Sequence, residues 1–335
     1  MDIEDVINKY FQQSSTVAHK EIKTGAINQT YHLTANEDKA KKEFILQKMK
    51  SIFDVSIMED VEFITKYLSS KKVLIQKVIR TKDGKSFVQD GALWWRLLSY
   101  IPGKTFNSIP SLKHAREAGR LLGEFHNALT DCDYEFKFKL PHLYDTNFVM
   151  KKLENTLEKN KDTKKYLELK DIAKNILSIY KNLPRIITLP NRIIHGDLKI
   201  NNVLFDNASE KALTLIDLDT LMHSTIVVEL GDALRSWCMP GGEDVDMVSF
   251  DPDVYNIALD GYISTAKFLT PEEKNSIPYG VKLITLELTA RFVIDAFEEN
   301  YFILDSSKYD NLFEQNKKRA ENQLEFFKKF SEIKH

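Results

Sequence analysis

Over the first hundred residues, short apolar runs alternate with polar ones at the period of half-buried strands. Residues 22–33 read as strand, turn and strand about Gly25, and 43–49 as a third strand. Ile57, Val61, Ile64 and Leu68 then share one face of a helix over 53–68, ended by Ser69-Ser70. Segments 73–79 and 86–89 flank Asp83-Gly84, a hairpin signal, and a further strand over 92–101 runs into Pro102-Gly103. Beyond that point the apolar spacing becomes three and four. Leu112, Ala115, Ala118, Leu122, Phe125 and Leu129 mark a helix over 112–129. Two Lys/Glu-rich helical stretches fill 147–180, divided at 160–163, and further helices are predicted over 258–268, 282–300 and 311–333. Short strands at 193–194 and 203–205 bracket a polar loop. The pattern predicts an α+β chain of two lobes. A small antiparallel-sheet lobe occupies 1–100, and a large, mainly helical lobe occupies 101–335, with a hinge at 99–103.

The polar loop carries the densest chemistry. It reads His195-Gly196-Asp197-Leu198-Lys199-Ile200-Asn201-Asn202 and is followed by Ile216-Asp217-Leu218-Asp219. Phosphoryl transfer needs a carboxylate to orient or deprotonate the attacking hydroxyl, oxygen ligands for a metal ion, and a cation on the transferring group. Asp197 is the candidate base and Lys199 the cation. Asn202 and Asp217 offer the hard oxygen donors that suit Mg²⁺ alongside phosphate oxygens and water. His195 is expected to hold the loop by hydrogen bonds rather than to move protons. Asp232 is expected as a structural acceptor beneath the loop.

The nucleotide, ATP, is expected in the small lobe. Backbone N–H groups of the turn at Gly25 can point at phosphates, supplemented by the side chains of Asn28, Gln29 and Thr30. Strand alternation lets either Gln47 or Lys48 face those phosphates, not both, and an inward Lys48 would need Glu59 or Glu62 to orient it. Tyr100 and Ile101 can offer backbone groups to adenine. On the acceptor side, Asp219, Arg235 and Arg291 suit hydroxyl or acetamide oxygens.

Composition narrows the partners. A net charge of −2 over 335 residues gives no basic field for nucleic acid. No apolar run reaches the length of a bilayer span, and the acidic N-terminus lacks the features of a signal peptide. With Cys132 and Cys238 read as free thiols, the expected setting is cytoplasmic, the partner a small molecule, and the chain a monomer or homodimer. Two alternatives stay open. Glu243, Asp244, Asp246, Asp251 and Asp253, with Trp237 and Tyr255 as cation–π faces, would suit a cationic acceptor such as choline, ethanolamine or an aminoglycoside. A nucleotide-binding pseudokinase scaffold is the other, disfavoured by the intact Asp197, Asn202 and Asp217.

His195-Gly196-Asp197 with Asn202, Ile216-Asp217, Tyr100-Ile101-Pro102-Gly103 and Gly231-Asp232 followed by Ala233-Leu234-Arg235 resemble the aminoglycoside phosphotransferase and choline kinase superfamily. Within it, Phe44-Ile45-Leu46-Gln47-Lys48, Asp219-Thr220 and Leu286-Glu287-Leu288 with Arg291-Phe292 are most similar to the N-acetylhexosamine 1-kinases. The resemblance implies a bilobal protein-kinase-like fold, ATP and Mg²⁺. It also implies transfer to the anomeric hydroxyl of GlcNAc or GalNAc, with Asp197, Thr220 and Arg291 holding the sugar.

Overall fold

The computed structural model describes residues 1–12, 16–22, 28–37, 40–184 and 188–333. The small lobe is an antiparallel sheet with a helix on either side. Helix α1 (Ile3–Tyr10) starts at Asp2, whose carboxylate accepts the Asp5 N–H at 2.8 Å. Strands β1 (Thr16–Ile22), β2 (Gln29–Glu37) and β3 (Ala40–Met49) form a meander. Helix α2 (Ile57–Ser70) follows, then β4 (Val78–Ile79), β5 (Val88–Asp90) and β6 (Leu93–Ser99). The sheet runs β1-β2-β3-β6-β4, with β5 also on β6. Alternation divides its faces. Leu33, Ala35, Phe44, Leu46, Trp95 and Leu97 bury against Val6, Ile7, Tyr10 and Phe11 of α1 and its end, a helix too short for the periodicity to reveal.

The hairpin expected at Asp83-Gly84 is different in the fold. The turn forms, with Gly84 at φ +84° and the Thr81 N–H donating to the Lys85 carbonyl at 2.8 Å. Yet its flanks do not pair with each other. Val78 and Ile79 sit opposite Leu98 and Leu97, while Val88 to Asp90 sit opposite Trp95 to Leu93. Both short strands dock on the long β6, which offers more buried apolar surface than either offers the other.

Helix α2 sits in a single core shared by both lobes. Its Ile57, Met58, Val61, Ile64 and Leu68 join a cluster that continues through Phe125, Leu129 and Phe136 of the large lobe. Buried Asp60 accepts the Tyr134 hydroxyl and the Lys137 and Phe138 N–H groups at 2.8–2.9 Å. Neither carboxylate expected to orient a lysine reaches the sheet's inner face: Glu62 pairs with Arg80 and Lys66, and Glu59 is exposed.

The large lobe is helical: α3 (Leu112–Ala128), α4 (Thr146–Lys159), α5 (Lys164–Asn182), α6 (Ile226–Trp237), α7 (Pro252–Thr265), α8 (Pro271–Glu298) and α9 (Leu312–Glu332). The break between α4 and α5 falls where the polar stretch predicts it. Helix α8 starts eleven residues before the expected 282, from a Thr270/Glu273 capping box, and continues through Pro278. Helices α6 and α8 touch backbone to backbone. A Cβ on Gly231 would lie 2.5 Å from the Gly280 carbonyl, and one on Gly280 would lie 2.0 Å from that of Val227. Two small ribbons support the loop: β7 (Asn191–Ile194) pairs β10 (Met222–Thr225), and β8 (Val203–Phe205) pairs β9 (Ala212–Leu215). The two-lobed α+β architecture agrees with the sequence pattern. Among the described residues no helix is long and apolar enough to cross a membrane.

Candidate active site

A cleft of about 680 Å³ separates the sheet from the loop at 195–202. Its upper wall is set by register. Thr30, Gln47 and Arg96 are direct neighbours across β2, β3 and β6, so their side chains share the inner face. The alternative left open between Gln47 and Lys48 is resolved by this row. Gln47 lines the cleft, whereas Lys48 lies on the α1 face, 3.4 Å from Asp90 and over the Trp95 ring. Asn28, Tyr100 and Ile101 also line the cleft, although the Tyr100 N–H is occupied by the Glu43 carbonyl at 3.2 Å. Gly25 lies outside the described residues.

The lower wall holds Asp197, Lys199, Asn202 and Asp217 together, as the motif predicts. Gly196 makes the turn into Asp197 with φ +85°, and a Cβ there would lie 2.3 Å from the Thr220 carbonyl. His195 is fully buried. Its Nε2 lies 2.9 Å from the Ile216 carbonyl and its Nδ1 accepts the Asp197 N–H at 3.3 Å, the holding role expected. The Asn202 amide donates through Nδ2 to the Asp197 carbonyl at 2.7 Å, which turns its Oδ1 end away from that carbonyl. Lys199 Nζ lies 2.9 Å from Asp197 Oδ1. Desolvation opposes the Lys199 charge, but Asp197, with Asp232 and Glu243 further off, more than offsets it and raises its pKa.

Asp217 sits at φ +64° on the cleft floor. Burial, then the charges of Asp219 and Asp197, hold its carboxyl well above the usual carboxylate range, with Arg96 opposing. The site is thus short of positive charge at this carboxylate. Among the described residues, no three His, Cys, Asp or Glu side chains gather to hold a metal unaided. The donor set instead suits a hard dication that takes Asp217, Asn202 and further oxygens from a bound phosphate.

The loop rests on a residue the sequence reading missed. Fully buried Glu229, in the first turn of α6, accepts the His195 and Gly196 N–H groups at 2.7 and 2.9 Å. Asp232, expected in that place, stands one helical turn on, bonded to Arg235, with the Tyr144 hydroxyl 3.1 Å away. That hydroxyl also lies 2.8 Å from the Gly196 carbonyl, so Tyr144 links Asp232 to the loop. A Glu229→Gln change sets an amide donor against one of two backbone donors. It should destabilise the protein by about 1–3 kcal/mol, read as a lower unfolding midpoint in thermal denaturation. An unchanged midpoint would remove Glu229 from this role.

Four residues expected to meet the acceptor are largely occupied elsewhere. Asp219 is gripped by both arms of the Arg96 guanidinium, with Nη2–Oδ2 at 2.9 Å, and is not on the cleft surface. The Thr220 hydroxyl donates to the His195 carbonyl at 2.9 Å. Arg235 is buried and pairs with Asp232 and Glu243. Arg291 bonds Glu287 and the His142 carbonyl, keeping 22% of its side chain exposed. Of these ion pairs, only Arg96–Asp219 spans a long stretch of sequence; Arg235 with Asp232 and Arg291 with Glu287 are pairs three and four residues apart on one helix face. The acidic segment is spent in the same way. Asp244 forks onto Arg319 and Asp251 caps α7. Trp237 and Tyr255 are core residues rather than open aromatic faces.

Residues 18–251 match the phosphotransferase enzyme family. Among curated proteins, the chain is similar to a homoserine kinase of Zymomonas mobilis subsp. mobilis, 22% identical over 241 residues that span 71% of this chain and 70% of that one. Among solved structures, it resembles an aminoglycoside phosphotransferase of Alicyclobacillus acidocaldarius at a TM-score of 0.64 and 14% identity, covering 99% of this chain and 96% of the other. It also resembles an amicoumacin kinase in complex with AMP-PNP, Ca²⁺ and Ami, at a TM-score of 0.62 and 17% identity, covering 96% and 94%. The shared fold is the bilobal kinase-like one that the resemblance implies, within the two-lobed α+β outline that the strand and helix pattern predicts.

Proposed function

The chain belongs to the phosphotransferase enzyme family, and on that premise we propose that it transfers the γ-phosphoryl group of ATP to a hydroxyl of a small molecule. The observation that carries this reading is the convergence of Asp197, Lys199, Asn202 and Asp217 on one wall of a cleft whose other wall is the Thr30–Gln47–Arg96 row. In this reading Asp197 orients the acceptor hydroxyl and takes its proton, and Lys199 holds Asp197 in place and faces the transferring oxygens. Asn202 and Asp217 would hold Mg²⁺, which when bound neutralises charge on the phosphate oxygens. The AMP-PNP and Ca²⁺ carried by the amicoumacin kinase support a nucleotide with a divalent cation. Tyr100 and Ile101 would face adenine.

For the acceptor, the N-acetylhexosamine reading rests on the family resemblance, with partly exposed Arg291 as its remaining candidate donor. A second reading, an acceptor bearing an ammonium group, rests on Asp232 and Glu243, two carboxylates that share the Arg235 guanidinium and still act on Lys199. Release of ADP, measured by a coupled assay across N-acetylhexosamines, homoserine, choline and aminoglycosides, separates them. Turnover fastest on a hexosamine is the expected result. A faster amine would replace the sugar reading and leave the phosphotransferase intact, whereas no acceptor-stimulated ADP release at all would count against the kinase reading.

A further inference from the structure

Resting on the ATP reading above, we propose that Arg96 is the cation that binds the nucleotide's β- and γ-phosphates. The argument begins with what the upper wall lacks. A triphosphate brings several negative charges into a low-dielectric cleft, where they require compensation beyond one dication. The third strand offers Gln47 at the inner position and turns its lysine to the opposite face. Among the described residues lining the cleft, the cations are Arg96 and Lys199. Lys199 lies on the lower wall and is engaged by Asp197. Arg96 stands on the nucleotide side, paired with Asp219 but with guanidinium N–H groups to spare.

Its geometry suits the task. Arg96 extends from β6 at the register of Gln47 and Thr30, toward the floor where Asp217 sits. Nε donates to Gln47 Oε1 at 2.9 Å, and one N–H of each Nη is given to Asp219. A guanidinium has five N–H donors, so two remain. Gln47 and Asp219 therefore act as positioning residues: they hold the fork rigid, and the side chain loses little freedom when phosphate arrives. The pair is almost fully buried and joins the two lobes, with side-chain exposures of 2% and 3%. A structural brace alone would explain that burial. It would not explain why Arg96 is also a lining residue of the cleft, in one row with Gln47 and Thr30.

The two roles separate in binding measurements on the whole protein with AMP, ADP and ATP, with and without Mg²⁺. Titration calorimetry on Arg96→Gln should show AMP affinity within about twofold of wild type. ADP and ATP affinities should fall roughly 10- to 100-fold, the range for a lost charge-assisted hydrogen bond. Arg96→Lys keeps the charge without the fork and should fall between. Equal weakening for AMP and ATP, or no weakening for either, would assign Arg96 to bracing alone and overturn the proposal. Should neither variant fold, the wild-type structure with a non-hydrolysable ATP analogue decides. A guanidinium nitrogen within hydrogen-bonding distance of a β- or γ-phosphate oxygen supports the assignment, and its absence refutes it. A wild-type protein that gains no affinity from AMP to ATP would bring down the kinase reading itself, which is a different failure.

Discussion

Replacing Asp197 with alanine should lower kcat by at least ~10²-fold, the scale of a lost positioned base, while the protein remains folded and still binds nucleotide. The second half of this expectation comes from how the loop is held. None of its main anchors uses the Asp197 side chain. Glu229 takes the His195 and Gly196 N–H groups, Asn202 donates to the Asp197 main-chain carbonyl, and the Trp237 indole donates to the Leu198 carbonyl at 2.9 Å. The carboxylate lines the cleft, where its bonded neighbours among the described residues are Lys199 and Asn202. Removing it should free Lys199 without undoing the turn. Steady-state rates with the preferred acceptor, beside a thermal melt, test both halves. More than a tenth of the wild-type kcat would take Asp197 out of the chemistry. A melt well below wild type would show that the loop depended on this side chain after all.

Asp217→Asn should separate activity from stability. Its carboxylate is buried among like charges, with Asp219 and Asp197 acting against it. Asparagine keeps the shape and tolerates the left-handed backbone at φ +64° as aspartate does. In metal-free protein the exchange therefore relieves repulsion, and the unfolding midpoint should hold or rise. Turnover should move the other way. A neutral oxygen is a poor substitute for an anionic ligand, and a metal's contribution of several kcal/mol corresponds to about 10²-fold or more in rate. Mg²⁺ titrations of rate, set beside melts in chelator, carry the test. An unchanged titration curve would place the metal elsewhere, and a much lower midpoint would mean that the Asp217 charge is needed for folding.

How far the sequence could be read follows from the range of each interaction. The loop from His195 to Asn202 and the Asp217 segment were legible because their chemistry is contiguous or nearly so. Helices α3, α4 and α5 announced themselves by spacing. The pairing of β4 with β6 was not legible, since a tight turn at Asp83-Gly84 reads as a hairpin whether or not its flanks meet. Arg96 gave no sign of its role: it sits in an apolar strand, and its carboxylate partner lies 123 residues away. Asp219, Arg235 and Glu243 erred in the opposite direction. Each reads as a ligand-seeking charge and each is paired inside the fold: Asp219 with a partner far along the chain, Arg235 and Glu243 within eight residues of one another, a local pair the motif reading passed over. Glu229 could have been suspected only as an acid directly after the apolar run Ile226-Val227-Val228, since a carboxylate buried there needs donors to satisfy it.

Helix α2 bears on any attempt to exchange parts between relatives. A graft made at residue 100, just past β6, would carry α2 along with the sheet. The packing, however, assigns much of that helix to the far side, through Asp60 and the cluster it shares with Phe125 and Phe136. A foreign small lobe would bring its own counterpart to a socket shaped for Ile57, Met58, Val61 and Ile64. Recombination that respects this protein would swap the strands and leave the helix, so the transferable unit is a discontinuous sheet rather than a stretch of sequence.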